Sequence, residues 1–145
     1  NIFFQLLALH SPVFASLFFG KFEEENKKEI ELQELVFEQF VDLLNMIYPS
    51  SFELTASNLH HIVNLADRFQ VESVLDRVIT YLSTTEKVET VTKLKIAEQF
   101  RLQRLIDFCI RSFTTIEQIK AVKETLEYKS FSDALRAAIC EKVLE

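Results

Sequence analysis

His10 and Ser11 are neighbours, and a serine hydroxyl beside a histidine is the simplest pair that could act as a nucleophile and its base. A working site also needs a third group that orients the histidine and donors that stabilise an oxyanion. No segment of the sequence marks either of these. We therefore predict that the protein is not an enzyme and has no catalytic residue, and we interpret Ser11 as the N-cap of a helix that starts at Pro12.

The other histidines and the cysteines do not form a recognisable ligand set. His60 and His61 are adjacent, so on a helix their rings point about 100° apart and cannot face one metal ion together. The single glycine, Gly20, excludes a glycine-rich phosphate loop. Cys109 and Cys140 are too few for a disulfide framework, and we interpret them as buried thiols in a reducing compartment. The sequence thus predicts no metal and no cofactor.

The third set of residues that could take part in chemistry or binding is Phe22, Glu23 and Glu24, in the acidic stretch LFFGKFEEENKKEIEL (17–32). The carboxylates are typical of solvated surface charge rather than of a general acid. The aromatic ring leaves two interpretations open. Phe22 is either an anchor that inserts into another protein, or a side chain that folds back on its own core beside Ile30.

Composition narrows the range of partners. The chain has 145 residues, the size of one domain, and a formal net charge of −6 from 16 basic and 22 acidic residues. This charge argues against binding to nucleic acid or to an anionic membrane surface, because no basic stripe is available. No apolar run approaches the ~20 residues that a membrane span needs.

Hydrophobic periodicity predicts the elements. Apolar residues recur at helical spacing through most of the chain, with helix ends at Gly20 and Pro49. The stretch KEIEL (28–32) alternates and predicts one short strand, while STTE (83–86) and TIEQ (115–118) fit the capping box. The expected fold class is α+β and mostly α-helical, with a reduced short sheet and C-terminal helical hairpins. The stripe predicted for the helix before Pro49 consists of Val36, Phe37, Phe40, Val41, Leu44 and Ile47.

An internal repeat is also visible. The segment LADRFQVESVLDRVITYL (65–82) aligns without gaps on IAEQFRLQRLIDFCIRSF (96–113), at an offset of 31 residues. Alanine, phenylalanine, aspartate and isoleucine are identical at four matched positions, and other positions keep their apolar character. A repeat with helical spacing predicts two copies of one helix–turn–helix unit.

Three stretches together resemble a known family. They are LALHSPVFASLFFGKFEEENKKEIEL, VFEQFVDLLNMIYPS and LTASNLHHIVNLADRFQVESVLDRVITYL, and they span about Leu7 to Leu82. In order and spacing they are similar to the BTB (POZ) domain, most of all to its MATH-BTB branch. The resemblance implies a helical cluster flanked by a short sheet. It divides the chain into a BTB-like domain (1–83) and a helical extension (84–145) similar to the BACK or 3-box helices.

The resemblance also implies a function. Adaptors of this branch bind the N-terminal domain of a cullin scaffold in a ubiquitin ligase, partly through a hydrophobic-x-Glu motif, which here would be Phe22, Glu23 and Glu24. Tyr48 either lies near the same face or is an ordinary half-buried tyrosine. The alternative function is an oligomerisation or scaffold module that recruits no ligase. The expected location is intracellular, in the cytoplasm, the nucleus or both.

One part of the family pattern is missing from this sequence. BTB domains open with a β-hairpin before the first helix seen here, so we expect a BTB domain that lacks its N-terminal strands, with an exposed strand edge at 28–32. Because that hairpin supplies much of the family's dimer interface, homodimerisation and pairing with another BTB chain are both left open.

Overall fold

The computed structural model describes residues 2–20, 31–48 and 50–144. These residues form ten α-helices and a final 3₁₀ turn: α1 (Ile2–His10), α2 (Pro12–Phe19), α3 (Phe37–Ile47), α4 (Leu59–Arg68), α5 (Glu72–Thr84), α6 (Thr90–Gln99), α7 (Gln103–Ser112), α8 (Ile116–Lys123), α9 (Leu126–Ser130), α10 (Asp133–Glu141) and the 3₁₀ turn Lys142–Leu144. The prediction of a mostly helical fold is confirmed.

The short strand predicted at 28–32 stays a prediction, because its first three residues lie outside the described residues. Its last two residues, Glu31 and Leu32, have no regular secondary structure. Within the three described ranges no residue belongs to a strand.

The chain forms two compact units, Asn1–Val78 and Ile79–Glu145. The division falls inside α5, so the first unit contains α1 to α4 and the second contains α6 to α10. Each unit has its own apolar core. The first unit buries Leu7, Phe14, Leu43, Ile62, Val63, Phe69 and Val74, and the second buries Leu94, Ile96, Leu105, Ile119, Leu135 and Ile139.

The break between α1 and α2 follows the predicted capping chemistry. Ser11 has an extended backbone, with φ −141° and ψ 116°, and its hydroxyl accepts a hydrogen bond from the Phe14 N–H at 3.1 Å. Pro12 occupies the first helical position, where its missing N–H costs nothing. Gly20 ends α2, and its N–H donates to the Ser16 carbonyl at 2.9 Å.

The buried residues of helix α3 differ from the predicted stripe. Leu43, Met46 and Ile47 are buried, and of these only Ile47 was predicted, whereas the predicted Phe40, Val41 and Leu44 are half-buried. Val36 and Phe37, in contrast, are exposed. Val36 lies in the extended segment before the helix, and Phe37 is the first helical residue, about 120° around the axis from the face that the buried residues share.

The internal repeat predicted from sequence is present in the backbone. The hairpins α4–α5 and α6–α7 are both joined by a turn whose second residue is left-handed, Gln70 with φ 52° and Arg101 with φ 56°. The residues before them also match, since Phe69 has φ −95° and Phe100 has φ −103°. The offset between equivalent residues is the 31 positions read from the sequence.

The hydrogen bonds of the two turns are equivalent as well. The Val71 N–H donates to the Ala66 carbonyl at 2.8 Å, and the Leu102 N–H donates to the Ala97 carbonyl at 2.7 Å. These bonds, from a residue just past the helix back to a carbonyl five positions earlier, satisfy acceptors that a helix end leaves free. The two alanines that match in sequence are thus the residues that accept these bonds, and both are fully buried.

One of the two predicted capping boxes is correct. Thr115 caps α8, with reciprocal bonds between Thr115 and Gln118. The prediction at 83–86 is wrong, because α5 continues to Thr84 and α6 starts only at Thr90. The Ser83 hydroxyl bonds instead to the Ile79 carbonyl at 2.7 Å, four residues back in its own helix.

Candidate partner-binding surface

Tyr48 is the one predicted site residue that lies within the described residues. It is the C-cap of α3, where its N–H donates to the Leu44 carbonyl at 2.9 Å and its backbone turns extended, with φ −75° and ψ 148°. The ring is half-buried and stacks on Phe3 of α1, with centroids 6.1 Å apart and planes 21° apart. Because Phe3 is itself partly exposed, the pair presents aromatic surface that water can reach.

A column of aromatic rings in contact supports this pair from the core. Phe3 lies 6.0 Å from Phe4, Phe4 stacks on Phe18 at 4.4 Å, and Phe18 stacks on Phe14 at 5.5 Å. Phe14 is fully buried and stacks on Phe69 at 4.5 Å. Aromatic pairs at such distances contribute roughly 0.5–1.5 kcal/mol each beyond their burial, so the column holds Phe3 in place beneath Tyr48. The sequence patterns did not reveal this column, because its rings come from two helices, α1 and α2, and from the turn after α4.

The other predicted site residues, Phe22, Glu23 and Glu24, lie outside the described residues. Their role in binding a partner stays a prediction.

Ser11 and His10 do not form a nucleophile and base. The Ser11 side chain is fully buried, and its hydroxyl donates to the Phe69 carbonyl while it accepts the Phe14 N–H. The His10 ring has a different partner, since its Nδ1 lies 3.4 Å from the Ser73 hydroxyl. The serine therefore closes a connection between α2 and the turn after α4.

His60 and His61 have different surroundings. His61 Nε2 lies 2.6 Å from an Asp42 carboxylate oxygen, which ties α4 to α3. His60 is exposed. In the part of the chain that the structure describes, no group of three or more His, Cys, Asp or Glu side chains is arranged to hold a metal ion.

Both cysteines are free thiols. Burial raises the pKa of the Cys109 thiol to about 11, against a smaller opposing effect of the Lys93 charge. Cys140 is half-buried, with its sulfur 3.5 Å from the Tyr128 hydroxyl. The hydrogen bond to Cys140 is the largest cause of a raised pKa at Tyr128, followed by desolvation. A thiol held in the protonated form is a poor nucleophile, so Cys109 is a packing residue of the second core.

None of the helices in the described ranges combines the length and the apolar character that crossing a bilayer requires. The helical fold and the accessible aromatic pair of Phe3 and Tyr48 are features of a helical protein-interaction module.

Comparison with known proteins gives the family. The BTB/POZ domain family matches residues 5–86, which is more than half of the chain. The chain belongs to this family of protein-interaction modules. It is 40% identical over 139 residues to BTB and MATH domain-containing protein 38 of Caenorhabditis elegans, covering 96% of this chain and 36% of that protein.

Two further relatives fit this assignment. BTB and MATH domain-containing protein 36 of Caenorhabditis elegans is 36% identical over 97% of this chain and 44% of its own length. Kelch-like protein 40 of Xenopus tropicalis is 34% identical over 53% of this chain and 12% of its own length. The predicted resemblance to the MATH-BTB branch is confirmed, and the chain spans less than half the length of these curated relatives.

Proposed function

We propose that this chain is the BTB module of a substrate adaptor, which docks on the N-terminal domain of a cullin scaffold in a ubiquitin ligase. Phe22 is the apolar anchor of the docking site, and Glu23 and Glu24 provide the acidic part of the motif. Tyr48 contributes to the same surface. The observation that carries the proposal is the family match over residues 5–86, which includes the complete motif.

The geometry at Tyr48 supports this function. A docking surface needs side chains whose rotamers are already restricted, because ordering a free side chain costs roughly 0.5–1.5 kcal/mol on binding. Tyr48 is stacked on Phe3 and stands at the end of a helix, so its position is set before a partner arrives. Aromatic residues with these properties are enriched among the side chains that dominate interface energies. The helices after residue 83 would serve as the BACK-like or 3-box extension.

The test is a titration of the chain against the N-terminal domain of a cullin by isothermal calorimetry. The double variant Phe22→Ala with Glu24→Ala is expected to bind at least tenfold more weakly. This loss corresponds to about 1.4 kcal/mol of binding free energy, which is a small loss for an aromatic anchor. A matched control is Ile116→Ala with Glu117→Ala, which removes an exposed apolar residue and an exposed glutamate from the second unit. If both double variants lose the same affinity for the cullin domain, or if the Phe22 and Glu24 variant loses none, the assignment of this site is wrong.

A second function is favoured by a separate observation. Ile2, Leu9 and Phe19 are exposed apolar residues on α1 and α2, and such surface is typical of protein–protein contacts. A scaffold module would use it to pair with a second BTB chain and would recruit no ligase. Light scattering with and without the cullin domain separates the two functions. Self-association in the absence of any cullin complex supports the scaffold.

A further inference from the structure

Two large apolar side chains lie exposed and adjacent where the chain enters α3. Val36 has 52% of its surface exposed, and Phe37, the first residue of the helix, has 75% exposed. Leaving a phenylalanine in water forfeits roughly 1.5–3 kcal/mol that burial would have gained. Neighbouring exposed residues of this size mark interaction sites more often than isolated ones do.

The loop in front of these two residues is held by a specific clamp. The Arg68 guanidinium, from the end of α4, donates to the Gln33 carbonyl at 2.7 Å and to the Glu34 carbonyl at 3.2 Å. Its central carbon also lies 5.3 Å from the centre of the Phe69 ring. Glu34 is left-handed, with φ 54°, a conformation that costs a residue other than glycine about 1–2 kcal/mol. The backbone that presents Val36 and Phe37 is therefore fixed by contacts outside the loop.

The clamp distinguishes the two copies of the internal repeat. Gln99 occupies the position in the second copy that Arg68 occupies in the first. The shared turn therefore does not require an arginine, because the second copy makes the same backbone bonds without one. Arg68 serves the loop before α3, not the repeat.

The described charged residues next to the exposed pair in sequence are all acidic. Glu31, Glu34 and Glu38 are all exposed and flank Val36 and Phe37 in sequence. Arg68 contacts this loop, and its guanidinium is occupied by the two carbonyls. A second copy of this chain, with its net charge of −6, would be repelled at such a patch, and so would an anionic lipid or a nucleic acid.

We propose that Val36 and Phe37, together with Glu31, Glu34 and Glu38, form a docking site for a basic segment of a partner protein. We call these five residues the Phe37 patch. In the partner, lysines or arginines flank an apolar side chain that packs on Phe37. The carboxylates accelerate encounter and set the orientation, and the apolar contact supplies most of the affinity.

Among the described residues, this patch is separate from Tyr48, the described member of the proposed cullin surface. Phe37 and Tyr48 stand at opposite ends of α3, whose 11 residues make it roughly 16 Å long. The inference goes beyond the proposed function and does not depend on it.

The test uses a displayed library of random peptides selected on the folded full chain, followed by fluorescence anisotropy with the recovered peptides. We expect recovered peptides to combine an apolar residue with flanking Lys or Arg, and their affinity to fall with added salt. Phe37→Ser is expected to lower the affinity for these peptides tenfold or more. The double variant Glu34→Gln with Glu38→Gln is expected to lower the affinity for the peptides and to make that affinity depend less on salt concentration.

Ile116→Ser is the matched control. Ile116 is also the first residue of its helix, α8, and is 48% exposed, but it lies in the second unit. It should leave peptide binding unchanged, and thermal melts should show that all variants remain folded. A selection that yields no peptide, peptides without basic residues, or equal binding by wild type and Phe37→Ser overturns the proposal.

Discussion

Removing the Ser11 hydroxyl tests how the first unit is held together. In Ser11→Ala the Phe14 N–H loses its cap, which typically costs about 1 kcal/mol. The Phe69 carbonyl also loses the donor that it has in the wild type, and leaving a buried acceptor without a partner costs roughly 1–3 kcal/mol. The serine side chain is fully enclosed, so water cannot replace either bond without rearrangement. The expected loss is therefore about 2–4 kcal/mol, the combined range of these two costs.

The assay is denaturant unfolding followed by far-UV circular dichroism, together with thermal melts. The expected loss lowers the melting temperature by roughly 6–16 °C for a chain of this size. Ser132→Ala is the matched control, because the Ser132 hydroxyl caps α10 through the Leu135 N–H at 3.2 Å but is exposed. It should cost only about 1 kcal/mol. If the two variants lose the same stability, the bond from Ser11 to Phe69 contributes nothing and the reasoning is refuted.

Three other predictions concern single positions. Gln70→Gly or Arg101→Gly relieves a left-handed residue, so each is expected to be neutral or to stabilise by up to roughly 1 kcal/mol, and destabilisation in urea unfolding would contradict this. At pH 8, Cys109 should react with iodoacetamide about tenfold more slowly than a thiol with the ordinary pKa of 9.0, because burial raises its pKa to about 11. The thiolate is then about a hundredfold scarcer, and the greater nucleophilicity of a more basic thiolate offsets roughly half of that loss on a logarithmic scale. Peptide mass spectrometry measures the rate of this reaction, and the urea-unfolded chain is the control. Comparable rates in the folded and unfolded chain would contradict the prediction. Thr115→Ala should cost about 1 kcal/mol, because it opens the capping box of α8, and an unchanged urea midpoint would count against that role.

Local patterns identified much of the fold. Ser11 before Pro12 predicted a helix start, because capping depends on residues only three positions apart. The repeat predicted two equivalent turns, since buried apolar positions at fixed spacing specify a hairpin wherever they occur. The family resemblance came from the same kind of information, carried over many positions. A serine hydroxyl, however, can also bond to a carbonyl of its own helix. At 83–86 the capping prediction was wrong because the Ser83 hydroxyl makes this bond instead of capping the next helix.

The sequence by itself thus determined the helical character, the family, the cap at Ser11 and the repeat, all of which depend on neighbours along the chain. Only the tertiary structure decided that Ser11 bonds to Phe69, that Tyr48 stacks on Phe3, and that Arg68 clamps the loop before α3. Those contacts join residues that are 58, 45 and 35 positions apart. No periodicity encodes such a pairing, because it depends on how the helices cross once their apolar faces are packed. In the sequence, Phe37 looks like one more apolar residue of a helical stripe. Its exposure follows only from the structure, which shows where α3 begins and which face of the helix is buried.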